Sequence, residues 1–258
     1  MSKYAVVTGA SSGIGTEFAK LLASYGYDLI ITARRKDRML KIAKYVSKKY
    51  RTNCMIFVKD LSKREDCESF YEEIKDYDIE VFINNAGFGA FGAFTDTDID
   101  KELNMIAVNV TALHILMKKM VRYFCDKNGG YLLNVASSAG LIPAGPFMST
   151  YYATKSYVVS LAKGVAAELK EENKNVYVGA LCPGPVDTEF NSVAGVSFAA
   201  NGMTPRKCAK IAIDSMFKKK RIIVPGSMLS FGTKFMKFIP ENILLKFVSE
   251  FQKGKGDV

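Results

Sequence analysis

Tyr151 and Lys155 stand four residues apart in Tyr151-Tyr152-Ala153-Thr154-Lys155, at the start of a helical stretch. On a helix that spacing places a phenol and an ammonium on one face, one turn apart. The chemistry would be proton transfer. A tyrosine is a poor acid or base near neutrality, with a pKa of about 10. A neighbouring positive charge favours the phenolate and eases movement of the proton. The spacing alone is common here, because Tyr45/Lys49, Tyr71/Lys75 and Tyr123/Lys127 repeat it in lysine-rich segments that read as surface. Tyr151 differs in what precedes it: Asn134-Val135-Ala136-Ser137-Ser138-Ala139-Gly140, a strand that ends in two hydroxyls. Ligands of open parallel sheets sit at the carboxyl ends of strands. Tyr151 comes fourteen residues after Ser137, enough for a loop to return the chain to the same crevice.

Alternating elements would position these groups. Tyr4–Thr8, Asp28–Thr32, Cys54–Val58, Val81–Asn84, Tyr131–Val135, Val176–Leu181 and Arg221–Val224 read as strands. Gly13–Ser24, Lys36–Lys49, Lys63–Lys75, Asp98–Phe124, Thr150–Glu171 and Pro205–Phe217 read as helices. The strands are apolar without clean alternation, as when both faces of a sheet are covered. Strand–helix alternation implies right-handed crossovers and a parallel sheet. The expectation is an α/β fold in one domain spanning 1–258.

The first strand runs into Thr8-Gly9-Ala10-Ser11-Ser12-Gly13-Ile14-Gly15 and then a helix. Such glycines permit positive φ and leave no Cβ between backbone and ligand. The N–H groups of the helix start face an anion. The second strand ends in Ala33-Arg34-Arg35, where an NAD site usually carries an acid for the ribose hydroxyls. Arginine matches a 2′-phosphate in charge and shape, so the expected cofactor is NADP(H). Asp60-Leu61 follows strand three at the place of an adenine edge, and Asp60 also reads as the N-cap of a helix from about Ser62. Asn84-Asn85-Ala86-Gly87 ends strand four with small and amide residues suited to a close cofactor approach.

Taken in order, Thr-Gly-x-x-x-Gly-Ile-Gly, Asn-Asn-Ala-Gly, Ser…Tyr-x-x-x-Lys and Pro183-Gly184 resemble the short-chain dehydrogenase/reductase family over roughly residues 3–225. The resemblance implies a Rossmann-type doubly wound sheet of seven parallel strands in the order 3-2-1-4-5-6-7. It implies hydride transfer between a nicotinamide and a carbonyl or secondary alcohol, with Tyr151 as general acid or base. Lys155 would tune the tyrosine and bind the nicotinamide ribose, and Asn109 would hold a relay water behind it. A serine would stabilise the charge developing on the substrate oxygen. The strand end selects Ser137 for that role, whereas the family's usual spacing, counted back from Tyr151, selects Ser138. A one-residue slip reverses the face of a strand, so Ser137 is preferred. By the same resemblance Gly9, Ser11, Ser12, Gly13, Ile14, Gly15, Arg34, Arg35, Asp60, Leu61, Asn85, Ala86 and Gly87 bind cofactor. Tyr151, Lys155, Pro183, Gly184, Val186 and Thr188 complete that set. The helices Asp98–Phe124 and Thr150–Glu171 would build a homodimer or homotetramer.

Composition excludes other classes. The 258 residues contain one histidine, His114, and five cysteines without a C-x-x-C pair, so no metal site and free thiols in a cytoplasmic protein are expected. His114 reads as a structural histidine on a core helix. The chain opens without a signal-peptide pattern and lacks a run of eighteen apolar residues. Of the net charge of +10, residues 218–258 carry nine Lys/Arg against three Asp/Glu. No nucleic-acid recognition motif accompanies that charge. Residues 189–203, small and apolar, read as a lid over an apolar substrate. Residues 228–258 form a basic amphipathic extension, read as packing over the pocket or at a subunit interface in preference to contact with an anionic membrane surface. Met148 and Tyr152 are candidates for the pocket wall. The rival reading is a catalytically silent NADP(H)-binding sensor or scaffold.

Overall fold

The structure, a computed structural model, describes residues 3–195, 202–226 and 239–254. Seven parallel strands lie in the order β3-β2-β1-β4-β5-β6-β7. They are β1 (Tyr4–Thr8), β2 (Asp28–Ala33), β3 (Cys54–Val58), β4 (Ile79–Asn84), β5 (Gly130–Val135), β6 (Val176–Leu181) and β7 (Ile222–Ile223). The helices are α1 (Gly13–Ser24), α2 (Lys36–Tyr50), α3 (Arg64–Ile74), α4 (Ile99–Ile106), α5 (Leu113–Asp126), α6 (Ser149–Glu171), α7 (Phe190–Ala194), α8 (Pro205–Phe217) and α9 (Glu241–Lys253). This is the doubly wound α/β architecture that the alternation of elements and the family resemblance imply.

Residues along each strand point alternately to the two faces. In β1, Val7 faces a cluster shared with Phe18 and Leu22 of α1, Met39 of α2 and Ile213 of α8. Val6 faces the opposite cluster, with Phe70 of α3, Leu116 and Phe124 of α5 and Val158 of α6. Each of these side chains is fully buried, which stabilises the fold by about 1.5–3 kcal/mol per large apolar side chain. Helices on both faces explain why the strands lack a polar alternation.

Two elements depart from the expected pattern. The stretch read as one helix from Asp98 to Phe124 is α4 and α5 joined by a π-helical segment, Ala107–Ala112, a wide turn often found at functional sites. Asn109 sits inside it. Asp60 does not cap a helix from Ser62. It closes a turn by accepting from Ser62 N at 3.1 Å and Ser62 Oγ at 2.8 Å, and α3 starts at Arg64.

The order β3-β2-β1-β4-β5 places the switch of direction between β1 and β4, where open sheets bind ligands. Asparagines tie the strand ends there. Thr8 Oγ1 accepts from the backbone of Asn85 at 2.9 Å and of Ala86 at 3.0 Å, and Asn85 Nδ2 donates to Thr8 O at 2.9 Å. Asn84 Nδ2 donates to Leu113 O at 3.0 Å, fixing β4 against α5.

Candidate active site

A cavity of about 670 Å³ runs along the carboxyl ends of the strands. One end is the turn Gly9–Gly15. The other is walled by Tyr151, Tyr152, Met148 and residues of α9. All the cofactor residues expected from the sequence lie on it, and so do Ser137, Tyr151 and Lys155. Asn109 is not on the wall but behind it.

β5 ends at Val135, and the chain passes through Ser137 into a short 3-10 turn, Ser138–Leu141. Ser137 is extended at φ −168, and its Oγ accepts from Ala139 N at 3.2 Å. The Ser137 hydroxyl is near enough to the Tyr151 phenol to lower its pKa. Its neighbour Ser138 donates its backbone N–H to Pro183 O at 2.8 Å, tying the β5 end to the β6 loop.

α6 begins at Ser149 and carries Tyr151 and Lys155 inward, 7% and 4% exposed. Lys155 Nζ donates to Val135 O at 3.0 Å. The other three Tyr/Lys pairs differ in burial and partners. Tyr45 is 36% exposed and bonds Lys49 at 2.9 Å on the surface. Tyr71 is partly buried, with Lys119 over its ring. Tyr123, expected at the surface, is also half-buried: its hydroxyl donates to Tyr77 O at 2.6 Å and accepts from Ile79 N at 3.0 Å. That is a structural staple before β4.

Burial dominates the electrostatics of the inward pair. It raises the Tyr151 phenol above its ordinary value, against a smaller lowering by the nearby Ser137 hydroxyl. It lowers the Lys155 ammonium to about 8. Against the expectation that the neighbouring charge eases the tyrosine's proton, burial is the largest influence on both groups and moves Tyr151 the other way.

Asn109 is fully buried. Its Oδ1 accepts from Phe88 N at 3.0 Å, and its Nδ2 donates to Phe88 O at 2.9 Å and to Thr154 Oγ1 at 3.1 Å. It therefore pins the loop after β4 to α6, one residue before the lysine. A Cβ on Gly87 would come within 2.9 Å of Asn109 Oδ1 and 3.2 Å of Lys155 Nζ, so a side chain there would push on both.

At the other end, Gly9 has φ +64 and Gly13 φ +55. A Cβ on Gly15 would lie 2.4 Å from Gly9 O. Arg35 bridges this turn to the far wall. Its Nε donates to Ser11 Oγ at 3.2 Å, its Nη2 to Ser12 Oγ at 2.8 Å and its Nη1 to Glu189 Oε2 at 2.9 Å. Arg38 also pairs with Glu189, and the hydrogen bonds from Arg38 and then Arg35 hold its carboxyl below the usual range. Burial alone would raise the Asp60 carboxyl, but Ser62 and the nearby Arg34 bring it below its ordinary value.

Glu189 and Gln252 of this site escaped the sequence reading. Within 189–203, Phe190–Ala194 form α7, whose Phe190 packs on Tyr151 with ring centroids 5.4 Å apart, and Met203 bridges to Val186; residues 196–201 lie outside the described residues. Of the C-terminal extension, 227–238 and 255–258 lie outside them too, including Met228, Phe231, Lys234 and Phe238. The described α9 buries Leu244, Val248 and Gln252 against the pocket and exposes Ile243 and Phe247. His114 lies on α5, a core helix as expected, and is itself exposed, with Nδ1 2.6 Å from the Tyr157 hydroxyl of α6. Among the described residues no helix is long and apolar enough to cross a membrane.

Comparison with known proteins places this geometry. A very-long-chain 3-oxoacyl-CoA reductase of Anas platyrhynchos is 29% identical over 224 residues, covering 84% of this chain and 69% of that protein. A short-chain dehydrogenase of Sphingobium yanoikuyae, solved with NADPH, superposes with TM-score 0.81 at 26% identity over 93% of this chain and 97% of that one. One of Burkholderia phymatum, solved with NAD, shares the fold with TM-score 0.83 at 20% identity, over 92% and 93%. Residues 3–195 match the short chain dehydrogenase family. With that match covering most of its length, the chain belongs to the short-chain dehydrogenases, oxidoreductases acting on alcohol or keto groups.

Proposed function

We propose that the chain is an NADP(H)-dependent reductase of apolar ketones, with Ser137, Tyr151, Lys155 and Asn109 as its catalytic set. The observation that carries this reading is the joint burial of Tyr151 and Lys155 at one end of a cavity whose other end is the Gly9–Gly15 turn. The residues present fit a dinucleotide. Gly9 and Gly13 adopt positive φ, and the missing Cβ of Gly15 keeps the turn tight. Ser11, Ser12, Arg34 and Arg35 cluster beside the end of β2, a donor set for a 2′-phosphate. Asp60, Asn85, Ala86, Gly87, Pro183, Gly184, Val186 and Thr188 line the rest of its path.

The bound nicotinamide supplies or accepts the hydride. The chain's own groups handle the oxygen. Ser137 orients the substrate oxygen and stabilises the charge that grows on it. Tyr151 gives its phenolic proton to that oxygen in reduction and takes it back in oxidation. Lys155 holds the cofactor ribose and supplies the positive charge that supports the phenolate. Asn109 positions the loop of Phe88 and hence Gly87 against the lysine, and its place behind Lys155 suits a water in the proton relay.

An apolar substrate is supported by Ile142, Met148, Phe190 and Val248 on the cavity wall, and fits a relative named for 3-oxoacyl chains. Residues 189–203 act as a lid in this reading, and 1–258 as one nucleotide-binding domain. A homodimer or homotetramer through the Asp98–Phe124 stretch, α4 and α5, and through α6 is supported by the exposed Ile99, Leu103 and Ile106 of α4. Five free thiols suit a reducing cytoplasm.

The test is oxidation of NADPH and of NADH over a panel of ketones, aldehydes, steroids and acyl ketones, with wild type and Arg34→Asp. Ketone-dependent oxidation of NADPH, with the preference moved towards NADH in the variant, is the expected result. Tight NADPH binding without turnover on any substrate favours a silent sensor. An NADP(H) preference that survives Arg34→Asp overturns the cofactor assignment.

A further inference from the structure

The buried face of α9 carries one polar side chain. Gln252 is 1% exposed, lines the cavity and follows Leu244 and Val248 at helical spacing. Those two belong to the apolar cluster around Met148, Tyr151 and Tyr152. Gln252 Nε2 donates to the Tyr152 hydroxyl at 2.5 Å. Gln252 Oε1 is buried and has no hydrogen-bond partner among the described residues. An acceptor left unpaired in an apolar wall is costly, and native structures rarely keep one without a use.

The geometry of the pair says what would satisfy it. A phenol that accepts from Gln252 still has its own hydrogen to offer. Tyr152 and Gln252 therefore present one donor and one acceptor side by side, among Ile142, Met148, Phe190 and Val248. Tyr152 follows Tyr151 directly, so it is turned about 100° around the helix from it, and the two ring centroids are 6.3 Å apart. One phenol serves the reacting oxygen in the reading above; the other faces the same cavity from a different side. An ion bound at this apolar wall would lack compensation, which selects a neutral group.

We infer that Tyr152 and Gln252 form a second recognition point for the substrate, taking a neutral group that both donates and accepts a hydrogen bond. A hydroxyl or a secondary amide meets that requirement, carried on an apolar body away from the reacting carbonyl. The inference rests on the ketone-reductase reading for its turnover assay and names the substrate class for that site.

The test uses the full chain with NADPH and straight-chain methyl ketones of graded length that end in a hydroxyl, a secondary amide or a methyl group. At the best length, kcat/KM for the hydroxyl or the amide member exceeds that for the methyl member by about tenfold or more, and the better of the two identifies the group. Gln252→Met and, independently, Tyr152→Phe bring that ratio down to about one. A wild-type ratio near one at every length overturns the inference, as does an unchanged ratio in Gln252→Met; the pair is then a strut that docks α9, visible only as a change in the unfolding temperature. If no ketone turns over, the reductase reading has failed. The same ligand pairs, titrated calorimetrically into NADPH-loaded protein, then decide the inference by their affinity ratio, with the same two variants.

Discussion

Lys155 Nζ lies 5.8 Å from the centre of the Tyr151 ring and bonds the carbonyl of Val135, not the phenol. The i,i+4 spacing brings the two residues to one face, but the lysine is anchored to the end of β5. Burial lowers the lysine to about 8 and raises the tyrosine. In the reductive direction Tyr151 must be protonated, and it stays so through neutral pH. The ammonium is lost as pH rises through about 8. Reductive kcat/KM is therefore expected to be flat below that pH and to fall above it. A profile that stays level to strongly alkaline pH counts against a charged Lys155 in the site.

The same burial makes Lys155 a cost to the fold. Its folded pKa lies below the unfolded one, so the unfolded chain binds more protons between about 8 and 10.5. Stability then rises with pH across that window, and at neutral pH the desolvated ammonium destabilises the native state. Lys155→Met is expected to raise stability at pH 7 by about 1–3 kcal/mol, with the gain shrinking as pH climbs through the window, while ketone reduction is lost. Thermal unfolding at several pH values checks it. A variant less stable than wild type at pH 7 would show that the bond to Val135 O outweighs desolvation.

Tyr151→Phe separates chemistry from packing. The ring contacts with Phe190 and Tyr152 survive the change, and only the hydroxyl goes. The expected loss is about 100- to 10,000-fold in kcat, with NADPH affinity and unfolding temperature near wild type. A kcat within a factor of a few of wild type would remove Tyr151 from the proton path.

The parts of this site that were legible in the sequence are those where local chemistry and topology agree. The Gly9–Gly15 turn, the Asn85-Ala86-Gly87 end of β4 and Ser137 at the end of β5 all announce themselves by residue type at a strand end. Lys155 was distinguishable from Lys49, Lys75 and Lys127 only through what precedes it. The illegible parts depend on contacts distant in sequence. Glu189 meets Arg35 across 154 positions, and Gln252 meets Tyr152 across 100. A lone glutamine in an apolar, basic segment reads as solvent-facing; its burial follows from how α9 docks. The exposure of His114 is hidden for a related reason: apolar neighbours reveal a core helix, but not which of its residues the fold will cover. The π segment around Asn109 is likewise invisible to a 3.6-residue period.

Glu189 holds Arg35 and Arg38, and Arg35 holds Ser11 and Ser12. A 2′-phosphate in the proposed site would compete with Glu189 for the same guanidinium. Glu189→Gln keeps the shape and removes the competing charge. It is expected to tighten NADPH binding several-fold, more at low salt than at high, and to leave NADH binding nearly unchanged. Fluorescence titration of both cofactors at two ionic strengths measures this. Weaker NADPH binding in the variant would mean that Glu189 positions Arg35 for the phosphate instead of occupying it.

Two glycine-to-alanine changes of identical chemistry should act in opposite directions. At Gly15 a Cβ would lie 2.4 Å from Gly9 O and 2.6 Å from Asn85 Nδ2. The backbone there is ordinary helix, so the obstacle is contact alone. To admit the methyl, the turn must move off α1 and the Asn85 bond to Gly9 O, 3.2 Å long, must break. Overpacking of this kind costs about 1–3 kcal/mol, and because the displaced turn forms one end of the cavity, NADPH binding falls with it. At Gly164, exposed inside α6, a Cβ meets nothing within 4 Å. Alanine there removes only the conformational freedom of glycine in a helix and should add about 0.5–1 kcal/mol, with cofactor affinity unchanged. Chemical denaturation and NADPH titration of the two variants read both effects. If Gly15→Ala binds NADPH as wild type does, the turn is not the dinucleotide cradle proposed for it.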